Sequence, residues 1–312
     1  MAKVLVAGGA GFIGSHLCEA LLDRGHQVVA IDNFHLGKAE NMASFRSHPS
    51  FKFLEGDILD GAFLAGIFDA HAFEAVFHLA ANSDIRASLL DLSLDYNLTF
   101  ATTHRLLCEC HRKKVKQFIF ASSSAVFGET PDVLHEGYGP LKPVSLYGAA
   151  KLASEGFISA FAHSLDMQAW IFRFPNVVGG RATHGVIYDF IEKLRANPHE
   201  LEVLGNGQQN KPYMYVKELV DGILFGWEKS GETYNVFMLG VPSRTTVAEI
   251  AHIVIEEMGL KAVIRYTGGD GGWVGDVPEF RYDTACINNL GWKPRRSSTE
   301  AVRTAIRCIV SQ

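Results

Sequence analysis

Short apolar segments alternate with longer segments of helical periodicity along the first 174 residues of the chain. The apolar segments predict strands, because turn-forming residues bound them and β-branched and aromatic residues are frequent in them. Predicted strands lie at 4–7, 27–31, 51–54, 76–79, 117–121 and 169–174, and predicted helices follow Gly14 and span 96–113 and 147–164. This alternation favours an α/β fold with a doubly wound parallel sheet that carries helices on both faces.

The pattern changes after residue 176. Helices are predicted at 186–196, 216–227, 247–258 and 299–309, strands at 234–237 and 262–266, and a glycine-rich loop at 268–275. These elements indicate a smaller, mixed α/β lobe. We therefore predict one domain over 1–175, to which the chain returns near 213–240, and a second domain over 176–312. A cleft between the lobe and the sheet edge is the expected substrate site.

Three glycines at a G-x-x-G-x-x-G spacing connect the first strand to the first helix. Of Gly8, Gly11 and Gly14, one allows a tight turn, one lets the backbone approach a pyrophosphate, and one lets the helix pack against the strand. The start of the helix then offers free N–H groups and a positive dipole end to phosphates. The pattern predicts a dinucleotide site, and a purely structural βαβ unit is the alternative.

An acidic residue ends the second predicted strand, 18 residues after Gly14. Asp32 is placed to accept hydrogen bonds from the adenosine ribose and to repel a 2′-phosphate, so we predict NAD rather than NADP. Asp57, just past the third strand, is placed to meet the adenine amino group. Lys38 lies in a connection that either wraps the adenosine or is a plain loop. The small residues at 80–81 allow the chain to lie against a flat cofactor.

The composition, 47% hydrophobic and 20% charged, is typical of a globular protein. A net charge of −5 gives no reason to expect nucleic acid or a membrane as partner. The five cysteines include no C-x-x-C pair and the thirteen histidines show no metal-binding spacing, so we expect reduced thiols and no metal. No apolar run reaches the roughly 18 to 20 residues that span a bilayer, and the first strand follows the N-terminus at once, so we expect a cytoplasmic protein.

Tyr147 and Lys151 lie four residues apart on a predicted helix, so their side chains share a face. A phenol is a poor base at neutral pH, but a nearby ammonium and a positively charged nicotinamide ring favour the phenolate and lower its pKa. Serines 122–124 end the preceding strand, where a hydroxyl faces the cofactor edge. A chance Y-x-x-x-K and a polar strand end are the alternatives, and the dinucleotide turn favours catalysis.

Together these motifs resemble the extended short-chain dehydrogenase/reductases, specifically the NAD-dependent nucleotide-sugar epimerases and dehydratases. The resemblance covers nearly the whole chain and is carried by residues 8–14, 32–33, 56–58, 78–81, 122–128, 147–151, 173–176 and 275–278, with Asp283. It implies a Rossmann-type sheet with a C-terminal substrate lobe, bound NAD, and a homodimer that pairs the helices near 96–113 and 147–164.

The resemblance also implies roles for individual residues. Ser123 matches the catalytic hydroxyl, Tyr147 the base, Lys151 its partner, and Asn176 the residue that holds the substrate diphosphate. Besides Tyr147 and Lys151, the implied cofactor contacts are Gly8, Gly11, Phe12, Ile13, Gly14, Asp32, Asn33, Lys38, Asp57, Ile58, Leu79, Ala80, Ala81 and Phe174. The candidate substrate contacts are Ser83, Ser124, Asn176, Val186, Lys211 and Asp276, and Arg86 is a further candidate beside Ser83.

Two positions after the catalytic hydroxyl separate the branches of this family. Related dehydratases carry Asp-Glu there and decarboxylases carry a glutamate, whereas this chain has Ser124 and Ala125. The resemblance therefore implies a UDP-glucose 4-epimerase-like enzyme for a UDP-hexose or UDP-hexuronate. The alternatives are a dehydratase or decarboxylase, a net NAD(P)-dependent oxidoreductase and a non-catalytic dinucleotide sensor. Lys211 and Phe127 depart from the arginine and tyrosine usual in the family, and glycines and Trp273 occupy the region of a second arginine.

Overall fold

The computed structural model describes residues 1–84, 87–269 and 280–311. Its strands are β1 Lys3–Ala7, β2 Gln27–Asp32, β3 Phe51–Glu55, β4 Ala75–His78, β5 Gln117–Ala121, β6 Val133–Leu134, β7 Gln168–Arg173, β8 Asn176–Val178, β9 Glu200–Val203, β10 Asn210–Lys211, β11 Tyr213–Tyr215, β12 Tyr234–Met238, β13 Thr245–Thr246, β14 Val263–Tyr266 and β15 Arg281–Tyr282. Its helices are α1 Phe12–Asp23, α2 Gly61–Ala70, α3 Thr102–Lys113, α4 Leu146–Ser164, α5 Val186–Ala196, α6 Val216–Lys229, α7 Val247–Glu257, α8 Ala285–Asn289 and α9 Ser298–Val310.

A seven-stranded sheet in the order β12-β7-β5-β4-β1-β2-β3 forms the centre of the first part of the chain. β1 pairs in parallel with both β2 and β4, and β4–β5 and β5–β7 are also parallel. The chain thus builds one half of the sheet outward from β1 and then starts the other half at β4. The carboxyl ends of β1 and β4 flank this reversal, which is where open α/β sheets bind ligands. The predicted doubly wound parallel sheet is confirmed.

The sheet strands are nearly continuous apolar runs because helices cover both of their faces. Residues 4–7 of β1 and most of β4 and β5 are fully buried. One core cluster brings together side chains from these strands with Leu64, Phe68, Leu106 and Ile158 from helices α2, α3 and α4. Burial at this density fixes the strand ends, and hence the side chains that project from them.

The chain divides into two compact units. The first contains 1–128, 139–173 and 223–237, and the second contains 129–138, 174–222 and 238–312. The second unit holds four two-stranded pairings: β8–β11, β9–β14 and β6–β15 are parallel and β10–β13 is antiparallel. Helix α7 packs against α5 and α9 within it. No helix of the described residues is long and apolar enough to cross a membrane.

Several elements of the fold differ from the sequence-based expectation, among them strand β9 and helix α8, which were not predicted. Helix α2 was not predicted, although Asp60 caps it by accepting from the N–H groups of Ala62 and Phe63. The predicted helix 96–113 begins instead as a π-helical turn, Tyr96–Ala101, and becomes α-helical at Thr102. The short strands β6, β8, β10, β11, β13 and β15 were also not predicted, because runs of two or three residues carry no periodicity. Residues 270–275 of the predicted glycine-rich loop lie outside the described residues.

Candidate active site

The glycine turn between β1 and α1 is packed too tightly for a side chain at Gly8 or at Gly14. Gly8 has φ +84°, and a Cβ there would lie 2.6 Å from the backbone nitrogen of Ala80. A Cβ on Gly14 would lie 2.0 Å from the carbonyl oxygen of Gly8. Gly8 therefore allows the turn to lie against the end of β4, and Gly14 lets α1 start directly above the turn.

The first turn of α1 is suited to a pyrophosphate. Its N-cap, Gly11, provides no side-chain cap, and no acidic residue lies in the first turn. Phe12 and Ile13 are half-buried there, so backbone N–H groups rather than polar side chains face a ligand. Across the turn, the N–H groups of Leu79 and Ala80 both donate to the Ala7 carbonyl at 2.9 Å. The residues present thus fit a dinucleotide whose phosphates lie on the turn.

Asp32, at the end of β2, is oriented by the backbone around it. Its Oδ2 accepts from the N–H of Ala10 at 3.0 Å and its Oδ1 from the N–H of Phe34 at 2.8 Å. Burial raises the pKa of Asp32, while the bonds from Phe34 and Ala10 act in the opposite direction. A Cβ on Gly37 would come within 2.9 Å of Oδ1, so the following loop folds back over the carboxylate. The exposed Lys38 continues this loop.

A second carboxylate lies beside the first. Asp57 accepts from the side-chain amide of Asn33 at 3.3 Å and from the N–H of Leu59 at 2.8 Å. The structure therefore brings Asn33 and Asp57 together at the ends of β2 and β3. Ile58 is 6% exposed and belongs to the core cluster, so its backbone rather than its side chain is available to a cofactor. Ala81 is half-buried after β4.

The three predicted catalytic residues converge at the carboxyl end of β5. Ser123 caps the short turn Ser124–Val126 by accepting from the N–H of Ala125 at 3.1 Å. Tyr147 lies in the first turn of α4, is half-buried, and shares a hydrogen bond with the Ser123 side chain. Lys151 is 2% exposed, and its Nζ donates to the Ala121 carbonyl at 2.6 Å. A hydroxyl, a phenol and an amine thus share one site in the first unit.

Burial shifts the pKa values of the phenol and the amine in opposite directions. It raises the pKa of Tyr147 to about 12, with the Ser123 hydrogen bond lowering it and the charge of Asp95 raising it. It lowers the pKa of Lys151 to about 7, with Glu155 and Asp95 raising it. Burial dominates both shifts in the chain alone. The predicted lowering of the phenol pKa by the ammonium together with a bound nicotinamide ring stays a prediction.

The serine run at 122–124 has three different environments. Ser122 is 1% exposed and donates to Glu155 Oε1 at 2.5 Å. Ser124 is also buried, at 8% exposure, while Ser123 keeps partial exposure. Sequence reasoning grouped the three serines and did not identify Glu155, although its i+4 spacing from Lys151 is a signal for it. Glu155 also accepts from Arg173 Nε at 3.0 Å and from Nη2 at 2.6 Å.

The predicted substrate contacts are distributed over both units. Ser83, in the first unit, is exposed. In the second unit Asn176 starts β8 and is exposed, Val186 is the first residue of α5, and Lys211 pairs with Thr245 in β10–β13. Phe174, predicted as a cofactor contact, is buried at the start of a segment of the second unit. Asp276 and Arg86 lie outside the described residues, as do Trp273 and the whole segment 275–278.

Comparisons with known proteins agree with this geometry. Residues 4–240 match the NAD dependent epimerase/dehydratase family. A Bacillus subtilis protein named as an uncharacterized UDP-glucose epimerase is 32% identical over 276 residues, 85% of either chain. The structure of a Thermotoga maritima UDP-glucose 4-epimerase with UDP-glucose superposes with a TM-score of 0.88 at 30% identity, covering 98% of both chains. That of a Bacillus cereus UDP-glucuronic acid 4-epimerase with UDP-glucuronic acid and NAD gives 0.88 at 26%, covering 99% of both.

Proposed function

The chain belongs to the NAD-dependent epimerase/dehydratase family, and from that premise we propose that it is an NAD-dependent nucleotide-sugar 4-epimerase. Its substrate is a UDP-hexose or a UDP-hexuronate, which passes through a 4-keto intermediate. The observation that carries the proposal is the convergence of Ser123, Tyr147 and Lys151 in the unit that also holds the glycine turn. Relatives named as UDP-sugar 4-epimerases over nearly the full chain support it.

The proton chemistry follows from the three side chains. Tyr147, as the phenolate, removes the proton of the sugar 4-hydroxyl, and the Ser123 hydroxyl hydrogen-bonds to the same oxygen and relays the proton. Lys151 stabilises the phenolate when it is charged. When bound, NAD supplies the acceptor and donor of the C4 hydride, so that no net oxidation results. Inversion at C4 would come from return of the hydride to the opposite face of the rotated 4-keto sugar, and Tyr147 returns the proton to the O4 oxygen.

Residues at the carboxyl ends of β1 to β4 would hold the cofactor. The backbone of Gly8, Gly11 and Gly14 receives the pyrophosphate, and Asp32 binds the adenosine ribose. Asp57 binds adenine, and the small residues after β4 face the flat rings. The remaining assigned contacts are Phe12, Ile13, Asn33, Lys38, Ile58, Leu79, Ala80, Ala81 and Phe174.

The proposed substrate contacts are one lysine, one asparagine, one valine and two serines. Lys211 neutralises a phosphate as a point charge, without the bidentate geometry of an arginine. Asn176 holds the diphosphate, Val186 contacts the nucleotide, and Ser83 and Ser124 contact the sugar. Neither Ser124 nor Ala125 provides a carboxylate, so these two positions lack the acidic residues that related dehydratases and decarboxylases carry there.

Incubation with UDP-, dTDP-, GDP- and CDP-sugars, followed by NMR of the C4 proton, tests the proposal. We expect interconversion at C4 of a UDP-sugar with no added cofactor and no accumulation of free NADH. Tyr147→Phe should lower kcat by about 10² to 10⁴ fold while retaining NAD, whereas Tyr96→Phe, at an exposed tyrosine of the same unit, should not. Release of water or CO₂ would instead establish a lyase, and stoichiometric use of NAD(P)H a net oxidoreductase. An unchanged activity in Tyr147→Phe would contradict the assignment of the base.

The assembly that we propose is a homodimer through helices α3 and α4. Three aromatic side chains from α3, α4 and the π-helical turn before α3 form a cluster. The rings of Phe100 and Phe157 are 5.0 Å apart, and the ring of His104 is 5.5 Å from that of Phe157. Phe157 is 42% exposed, which is unusual for a ring in such a cluster. Sedimentation of Phe157→Glu should show monomers, and an unchanged dimer would place the interface elsewhere.

The cellular location that we propose is the cytoplasm. None of the five cysteines forms a disulfide, and Cys18 and Cys110 are buried, which suits a reducing compartment. Fractionation of cells that express a tagged chain would test this.

A further inference from the structure

Asn82 is a buried amide to which the mechanism above gives no role. It follows the small residues after β4 and is 1% exposed, whereas the next two residues, Ser83 and Asp84, are exposed. Its Oδ1 accepts from the N–H of Asp84 at 3.0 Å, and its Nδ2 donates to the carbonyl of Asp84 at 3.0 Å. The amide thus binds both polar groups of the Asp84 backbone, which closes a turn whose central residue is Ser83.

Further hydrogen bonds attach this Ser83 turn, residues 82–84, to other segments of the same unit. Asn82 Nδ2 also lies 3.0 Å from Asp95 Oδ1 and 3.0 Å from Ser88 Oγ. The backbone N–H of Asn82 donates to Thr99 Oγ1 at 3.3 Å. Asp95, Ser88 and Thr99 are each at most 1% exposed, so these hydrogen bonds lie where water does not compete for them.

The acceptors around the amide nitrogen explain why an asparagine fits this position. A side-chain amide has two N–H groups, and three oxygens, from Asp84, Ser88 and Asp95, lie 3.0 Å from Asn82 Nδ2. The amide oxygen is used as well, by the N–H of Asp84. An aspartate here would offer no side-chain donor to the Asp95 carboxylate, and an apolar side chain would leave the Ser83 turn without its closing hydrogen bonds.

The π-helical turn Tyr96–Ala101 connects the Ser83 turn to the catalytic helix. It contains Thr99, which accepts from the N–H of Asn82. Helix α4, which carries Tyr147, packs against the same π-helical turn. Turns of this kind are rare and occur frequently at functional sites. The placement of the Ser83 turn relative to Tyr147 is therefore supported by buried contacts through this turn.

We propose that Asn82 is a positioning residue that holds the Ser83 hydroxyl toward the sugar of the substrate. The inference rests on the proposed function, which assigns Ser83 to the sugar and Tyr147 to its 4-hydroxyl. An exposed turn without such support samples many backbone conformations, and a substrate contact on it loses its fixed geometry. Asn82 acts through Ser83, because its own amide is used within the chain.

A double-mutant cycle on kcat/KM of the NAD-loaded enzyme tests this role. Ser83→Ala removes the contact and Asn82→Ala removes its support, so each should lower kcat/KM for the UDP-sugar about three- to tenfold, as expected for one lost hydrogen bond. Because Asn82 acts through Ser83, Asn82→Ala should have little further effect in the Ser83→Ala background. Losses that multiply would show a general structural role, and an unchanged kcat/KM in either single variant would show that the contact or its support is absent. Each of these results overturns the inference.

A milder variant covers the case in which Asn82→Ala does not fold. Thr99→Val removes the acceptor of the Asn82 N–H and leaves the amide in place. It takes the place of Asn82→Ala in the cycle, and we expect the same coupling to Ser83→Ala. Independent losses in Thr99→Val and Ser83→Ala overturn the inference.

Asn197→Ala is the matched control. Asn197 is exposed, and its Oδ1 accepts from the N–H of His199 at 3.1 Å, which is the same side-chain bond to the backbone two residues ahead. This variant should leave kcat/KM unchanged with and without Ser83→Ala. Coupling of Asn197→Ala to Ser83→Ala as large as that of Asn82→Ala would make the effect non-specific, which also overturns the inference.

Hydrogen exchange tests the Ser83 turn without activity. The N–H of Asp84 donates to Asn82 Oδ1, so in Asn82→Ala it should exchange faster by about threefold or more. In Ser83→Ala its rate should stay the same. An unchanged rate in Asn82→Ala overturns the inference. Absence of 4-epimerase activity in the wild type would instead refute the proposed function, and the exchange rates would then decide whether Asn82 fixes the turn.

Discussion

The buried ion pair between Glu155 and Arg173 predicts a large loss of stability when one partner is removed. Their side chains are 4% and 6% exposed, and two hydrogen bonds of 3.0 and 2.6 Å join them. Arg173→Met leaves the carboxylate with the Ser122 hydroxyl at 2.5 Å and removes the guanidinium that lies 5.0 Å from the Phe127 ring. We expect this variant to lose about 3–5 kcal/mol of unfolding free energy, because an uncompensated charge remains buried.

Removal of both charges should restore much of this loss. Glu155→Leu combined with Arg173→Met replaces the pair by apolar side chains of similar volume, which is often close to neutral in buried sites. The recovery separates the cost of an unpaired charge from the cost of disturbed packing. If the double variant is as unstable as Arg173→Met, packing rather than charge explains the loss.

Arg112→Met is the matched control for the same substitution. Arg112 contacts Asp69 at 2.9 Å and Glu109, within the same unit, but its side chain is 41% exposed. Water screens such a pair and replaces the lost partner, so the loss should be far smaller. Urea unfolding followed by circular dichroism gives the three free energies. Equal losses in Arg173→Met and Arg112→Met would refute the reasoning from burial.

Three further predictions address the turn, the cofactor and the lysine. Because folding lowers the pKa of Lys151 from 10.5 to about 7, the unfolded chain binds more protons between these values. Between these pH values the unfolding free energy of the wild type should therefore rise by up to about 1.4 kcal/mol per pH unit more than that of Lys151→Met. Urea titrations of both proteins at several pH values measure this difference. Gly14→Ala should abolish NAD binding, because its Cβ would lie 2.0 Å from the Gly8 carbonyl, whereas Gly66→Ala has open space and should bind NAD normally by calorimetry. Asp32→Ser should reduce the preference for NAD over NADP at least about tenfold in measured Kd ratios.

Local signals in the sequence predicted the sheet and the turn well. The apolar runs of β1 to β5 and β7 are recognisable because burial on both faces removes polar residues from them. Gly8 and Gly14 are recognisable because only glycine fits where a Cβ would come within 2.6 or 2.0 Å of backbone. Helix α2 was missed since Gly61 and Gly66 interrupt its pattern, although Asp60 marks its start.

The electrostatics of the site could not be predicted in the same way. Glu155 and Arg173 are 18 residues apart on different elements, and Asp95 reaches Asn82 from a turn that has no sequence signature. The placement of Tyr147 and Lys151 on one helix face was predicted, but the burial that raises the pKa of Tyr147 in the chain alone was not. That rise depends on how much water the fold excludes, which spacing along the chain does not reveal.

Exclusion of water explains why the relay needs fixed charges around it. Burial favours the neutral form of each group. It raises the pKa of Tyr147 to about 12 and lowers the pKa of Lys151 to about 7. Removal of a hydroxyl proton, by contrast, requires a phenolate, which an ammonium stabilises. Each nearby charge changes the balance in a definite direction: the buried carboxylates favour the ammonium, and any added positive charge at the site favours the phenolate.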